Sequence, residues 1–103
     1  MIHVVAVITA KPGMRETVLR EFRANVPAVL AEDGCIEYGA VTDTSPAPGF
    51  ATPIGPDTFM VIEKWSSLAT FRAHGAAPHM VAYAAKVRGM LAGRVIHVLS
   101  DAA

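Results

Sequence analysis

Apolar residues recur along this chain with two periods. Ile2 to Thr9 is apolar at successive positions, which predicts a central β-strand with both faces covered. Lys11-Pro12-Gly13 makes a turn, and Met14, Val18, Phe22, Val26 and Val29 or Leu30 then recur at helical spacing. Glu16 and Arg20 form an i,i+4 pair on the polar side of that helix. Pro27 lies inside the pattern and predicts a kink or a split into two packed pieces. Glu32-Asp33-Gly34 predicts the stop, with Gly34 as the left-handed residue after the helix. Cys35 to Thr42 alternates as a second strand, with Ile36, Tyr38 and Ala40 on one face and Cys35, Glu37, Gly39 and Val41 on the other. Asp43 to Asp57 holds four prolines and two glycines and reads as an ordered loop anchored by Phe50 and Ile54. Thr58 to Trp65 is the third strand. Ser66 or Ser67 caps a short helix carrying Leu68, Phe71 and His74 that ends at Gly75. Pro78 opens another helix through Met80, Tyr83, Ala84, Val87 and Leu91, which Gly93 breaks before a last strand, Arg94 to Leu99.

The order is β-α-β-β-α-β with the second helical connection broken in two. That is the ferredoxin-like arrangement, an α+β fold with a four-stranded antiparallel sheet, spanning residues 1–103 as one domain. Helices on one face leave the other face of such a sheet bare, yet alternate residues on both faces are apolar. A second copy packed through the sheet face, as a two-fold homodimer, is the expected cover. Composition points the same way: 52% of residues are hydrophobic and 17% charged, an apolar balance for so small a core. Nine basic and nine acidic residues cancel and form no basic run, which argues against nucleic acid or an anionic membrane as partner. The single cysteine, Cys35, excludes an internal disulfide, fits a reducing compartment and reads as a small buried hydrophobe. The N-terminal segment lacks a basic region and is β-branched like a strand, and no run reaches the ~18 apolar residues of a membrane span. A cytoplasmic protein is expected.

Candidate chemistry concentrates between Phe59 and His79. His74 and His79 flank a helix break, where two helix ends and a pocket can meet; each is open to a structural reading or to acid–base work. Glu63 shares a strand face with Phe59, Val61 and Trp65. A carboxylate there has its pKa raised by desolvation unless a cation or donors hold it charged, and it reads either as an ion-pair partner or as the group that orients a histidine. Trp65 is a core anchor or a platform for a planar ligand, with Tyr38, Tyr83 and Phe71 as further wall residues. Both histidines with Glu63 would also make a two-histidine, one-carboxylate metal set, but the spacing does not require it. His3 and His97 read as structural or dimer-face residues. Phosphate loops, nucleophile elbows, C-x-x-C pairs and dinucleotide fingerprints are absent. A reaction here should involve a small molecule and no bound organic cofactor.

These residues resemble a known pattern over nearly the whole length. It comprises Lys11-Pro12-Gly13, Val26-Pro27-Ala28-Val29-Leu30 before Asp33-Gly34-Cys35, Tyr38, Gly55-Pro56-Asp57, Glu63-Lys64-Trp65, and Ala73-His74 leading to Pro78-His79-Met80-Val81-Ala82-Tyr83. The chain resembles the antibiotic biosynthesis monooxygenase family and, within it, the bacterial quinol monooxygenases. The resemblance implies a ferredoxin-like fold dimerised into an α+β barrel. It also implies oxidation of a small aromatic polyphenol or quinol by O₂ to a quinone, without metal, flavin or nicotinamide. The family's haem-degrading branch needs an asparagine in its first strand, and Ile2 to Thr9 has none. On this reading His74 or His79 takes or positions the quinol proton, Glu63 orients it, and Trp65 with Tyr83 flanks the ring. An isomerase of a small enolisable carbonyl compound and a non-catalytic dimeric binder of planar metabolites are the alternatives.

Overall fold

The computed structural model describes all 103 residues. Its elements run β1 (Ile2–Ala10), α1 (Arg15–Leu30), β2 (Cys35–Val41), β3 (Thr58–Trp65), α2 (Leu68–Ala76), α3 (Pro78–Val87) and β4 (Leu91–Ser100). The strands form one sheet in the order β2-β3-β1-β4, and every neighbouring pair is antiparallel. This is the ferredoxin-like α+β fold. The β-branched run of β1 suits a central strand. Val4, Ala6, Ile8 and Ala10 are buried under the helices, together with Phe59, Val61, Glu63 and Trp65 of β3. Val18, Leu19, Phe22 and Val29 of α1 close the core from above. No helix is long and apolar enough to cross a membrane.

Several local expectations are corrected. α1 runs as one helix across Pro27, because the proline stands in its last turn and removes only one internal hydrogen bond. The chain ends the helix at Ala31, whose N–H bonds to Pro27 O at 3.2 Å. Gly34 is therefore beyond the helix cap, although its φ is +79°. β2 carries a bulge between Cys35 and Glu37. It turns Ile36 outward, where it is exposed, so Cys35 and not Ile36 joins Tyr38 on the helix side; a bulge resets the two-residue alternation. α2 passes through Gly75 to Ala76. Pro78 sets the break, since the residue before a proline is driven out of the helical region, and Ala77 is extended at φ −61°, ψ 136°. At its other end α3 stops at Val87, a short 3₁₀ turn covers Arg88–Met90, and β4 starts at Leu91. Gly93 thus lies inside β4, beside the register shift where Thr9 faces Gly93 and Ala10 faces Leu91. Phe50 is no anchor: it is 92% exposed. Its loop is held by Asp43, which accepts from the Ile54 and Gly55 N–H groups at 2.9 and 3.0 Å, and by Arg15, which donates to the Gly55 and Thr58 carbonyls at 3.2 Å.

Gly34 is the tightest backbone position. A Cβ there would lie 2.5 Å from Thr70 Oγ1 and 2.6 Å from Ser66 Oγ, side chains at the start of α2. Thr70 cannot withdraw, because it completes the capping box with Ser67. Gly34→Ala should therefore lower stability by about 2 kcal/mol or more, combining a positive φ with a clash. Gly89→Ala, at an open site without positive φ, should change it by less than ~1 kcal/mol. Urea unfolding midpoints compare the two, and equal effects would refute the packing argument.

Candidate functional site

The end of α1 supplies the site's first fixed group. Glu32 follows the helix, where the negative end of the helix dipole disfavours a carboxylate. It is stabilised by a donor from another element: the His74 ring lies with Nδ1 2.7 Å from Glu32 Oε2. His74 is in α2 and only 4% exposed. Since the carboxylate accepts, Nδ1 carries the proton, and neutral His74 keeps its lone pair on Nε2. The ring is further fixed by packing against Trp65, centroids 4.7 Å apart, and edge-on to Tyr38 at 5.5 Å.

A cavity of about 320 Å³ opens beside this imidazole, between the helix-side face of the sheet and α2 and α3. Eleven of its sixteen lining residues are hydrophobic, a setting suited to a flat apolar ring with a few directed polar contacts. His74, Glu63, Tyr38, Phe71 and Tyr83 all line it. Tyr38 and Tyr83 are pushed above the usual phenol range by burial, Tyr83 up to about 12, so both hydroxyls stay protonated at neutral pH. Burial likewise pushes the Glu63 carboxyl up, against its hydrogen bond from Trp65 and the nearby His74, which pull it down. The Cys35 thiol is also raised by burial and by the Glu32 and Glu63 carboxylates, the opposite of what an activated nucleophile needs.

The other sequence candidates fall elsewhere. His79 does not line this cavity. Its Nε2 is 3.3 Å from the same Glu32 oxygen, too poorly aligned for a hydrogen bond, and both ring nitrogens are buried without a hydrogen-bond partner. Nε2 of His74, by contrast, is unpartnered but not sealed from solvent. Trp65 is 0% exposed and offers no face to the cavity. Its Nε1–H donates to Glu63 Oε1 at 2.9 Å, so Glu63 holds the indole and Glu32, not Glu63, holds the histidine. The metal set of both histidines with Glu63 does not form, and no three His, Cys, Asp or Glu side chains are grouped to hold an ion. His3 lies on the open sheet face opposite Lys64 and Leu99, with Nε2 2.7 Å from Asp101 Oδ1. Sequence reasoning missed Glu32, Arg88 and Arg94. For Glu32 a signal existed, an acid placed against the unfavourable end of a helix.

The family model for antibiotic biosynthesis monooxygenase matches residues 1–86. The chain belongs to the antibiotic biosynthesis monooxygenase family. It is 38% identical over 101 residues to the probable quinol monooxygenase YgiN of Escherichia coli K12, covering 96% of each chain. The crystal structure of PA3566 from Pseudomonas aeruginosa superposes with a TM-score of 0.82 at 28% identity, covering 99% of this chain and 94% of that one. Rv0793 from Mycobacterium tuberculosis gives 0.81 at 21% identity, covering 99% and 95%, which speaks for the fold alone. Family membership supports oxidoreductase chemistry of the monooxygenase type for this chain.

The buried Glu63 gives a pH test. A carboxyl whose folded pKa is raised adds stability that is fully present below its unfolded pKa and is lost as pH rises through the folded value. Glu63→Gln keeps an acceptor for the Trp65 indole and cannot ionise. Urea midpoints from about pH 4 to about pH 8 should therefore move in the variant's favour relative to wild type as pH rises. Parallel profiles would mean that Glu63 carries no burial cost.

Proposed function

We propose that this chain is a cofactor-independent monooxygenase that oxidises a small aromatic polyphenol or quinol with O₂ to a quinone, using His74 as general base. The carrying observation is an imidazole fixed at Nδ1 by Glu32, with a free Nε2, on the wall of an apolar cavity. The relative named as a probable quinol monooxygenase supports the choice of substrate class.

The chemistry asks little of the protein beyond binding, deprotonation and dryness. A neutral quinol reacts slowly with triplet O₂; its anion is a good one-electron donor. Nε2 of His74 takes the phenolic proton, and Glu32 stabilises the imidazolium that forms. The Tyr38 and Tyr83 hydroxyls, held protonated, can donate to the quinolate oxygen. Phe71 and the aliphatic wall flank the ring. Transfer of two electrons and two protons to O₂ gives quinone and H₂O₂; insertion of one oxygen gives a hydroxyquinone and water. Trp65 and Glu63 serve this site from behind, the indole packing on His74 and the carboxylate fixing the indole.

The second copy expected on the open sheet face is part of the same proposal. His3, Val5 and Val7 of β1 and Met60 and Ile62 of β3 lie on that face without cover in one chain. The homodimer, a cytoplasmic location and the absence of nucleic-acid and membrane partners complete the reading.

Oxygen-electrode assays on naphthoquinols, corrected for autoxidation, test the base. His74→Ala should lose about 10²–10⁴-fold in rate, whereas His79→Ala should stay within about tenfold of wild type, having no place on the cavity wall. Full activity in folded His74→Ala would end the proposal, and turnover of an enolisable carbonyl compound without O₂ would put an isomerase in its place. For the assembly, sedimentation equilibrium should give twice the 10.9 kDa chain mass, and Ile62→Asp should return it to one chain. A wild-type monomer would remove the dimer.

A further inference from the structure

The cavity has a second polar end that the proposed reaction does not use. Arg88, in the 3₁₀ turn after α3, and Arg94, on the helix side of β4, both line it. Both also border an adjoining open cavity with Ala84 and Leu91, so they stand where the ring site meets solvent. Three arginine or lysine side chains are ion-paired, Arg23 to Glu16, Lys64 to Glu37 and Lys86 to Glu21, and of the arginines and lysines only Arg88 and Arg94 line this cavity. Arg88 and Arg94 take part in none of these pairs, and neither donates a hydrogen bond within the protein. Two guanidinium groups at the rim of one apolar cavity repel each other unless an anion lies between them, and no carboxylate of this chain does so. The only acid on the lining is Glu63, at the His74 end.

We infer that the aromatic substrate carries an anionic substituent, a carboxylate or its equivalent, which Arg88 and Arg94 hold at the rim. This rests on the cavity being the ring site. Guanidinium groups recognise planar oxyanions through paired, charge-assisted N–H donors. The inner end, with Glu63 and the Glu32-bound imidazole, offers no guanidinium or ammonium to hold such a group. The ring therefore enters in one orientation, acid outward and phenol toward Nε2 of His74. A neutral quinol of the same size lacks this orienting contact.

A pair of stable ligands separates the ring site from the anion site. In 6-hydroxy-2-naphthoate the hydroxyl and carboxylate stand at opposite ends of two fused rings; 6-hydroxy-2-naphthamide has the same shape without the charge. Calorimetric titration of the full chain at neutral pH should give at least about tenfold tighter binding for the carboxylate. Added salt should narrow that gap. Arg88→Gln and Arg94→Gln should each weaken the carboxylate about five- to tenfold and leave the carboxamide within about twofold, with Arg94→Lys recovering part of the loss. Equal affinities of the two ligands in the wild type would overturn the inference while leaving the ring site intact. So would arginine variants that weaken both ligands alike. Binding of neither ligand would remove the ring site and this inference together. A carboxylate preference without O₂ uptake would sink the oxidation and keep the arginine assignment.

Discussion

The site depends on where Glu32 can put its charge. The carboxylate follows a helix whose C-terminal carbonyls repel it, and it is only partly open to water. It therefore needs a donor from another element, and the His74 ring at 2.7 Å supplies one. That contact joins the end of α1 to α2, and the approach of His79 at 3.3 Å brings the start of α3 to the same oxygen. Two residues further on, Gly34 lets the chain pass against Ser66 and Thr70 without a Cβ in the way, and Ser66 N–H closes the joint on Gly34 O at 2.8 Å. The imidazole that faces the cavity is thus held by the same few residues that hold α2 on the sheet.

The cavity itself follows from how the helices are placed. Three helices in one layer cover β2, β3 and β1 but leave the edge strand β4 largely open, and nearly all of its residues are exposed. A wedge remains between α3 and the helix side of β1 and β4, with Ala6, Ile8 and Ile96 as its floor. Packing density elsewhere in a core of this kind leaves little free volume, so an apolar space of this size is a feature of the topology. Its ends differ in charge because they belong to different elements. At one end α2 brings an imidazole and β3 a carboxyl, while at the other the turn after α3 and β4 each bring an arginine.

How much of this the sequence disclosed depended on distance along the chain. Element order came from periodicities of 2 and 3.6, and the strand order follows from the ferredoxin-like arrangement. The misplaced details were those set by contacts between elements. The bulge at Ile36 reverses a face that alternation alone assigns to the core, and Gly93 reads as a breaker until β1 is seen paired beside it. The site divides in the same way. Polar groups in an apolar setting marked His74 and Glu63 correctly as unusual, but not which acid serves which partner. Glu63 and Trp65 are two apart on one strand face, so their hydrogen bond is local. Glu32 and His74 are 42 apart, and only the packing of α2 against the end of α1 brings them together.

The two carboxylates near one imidazole set a condition on the proposed chemistry. If both were ionised, a quinolate formed beside them would meet two negative charges and one imidazolium. Burial already favours the protonated form of Glu63, and its neighbour Glu32 pushes in the same direction. With Oε1 accepting from the Trp65 indole, the other oxygen can keep a proton and act as a donor in place of a repelling charge. Glu32 cannot take that part, because it is engaged as the acceptor of the His74 Nδ1–H and does not line the cavity. The division of roles then follows from environment: Glu32 accepts from the ring that takes the proton, and burial shifts Glu63 toward its neutral form beside the forming anion.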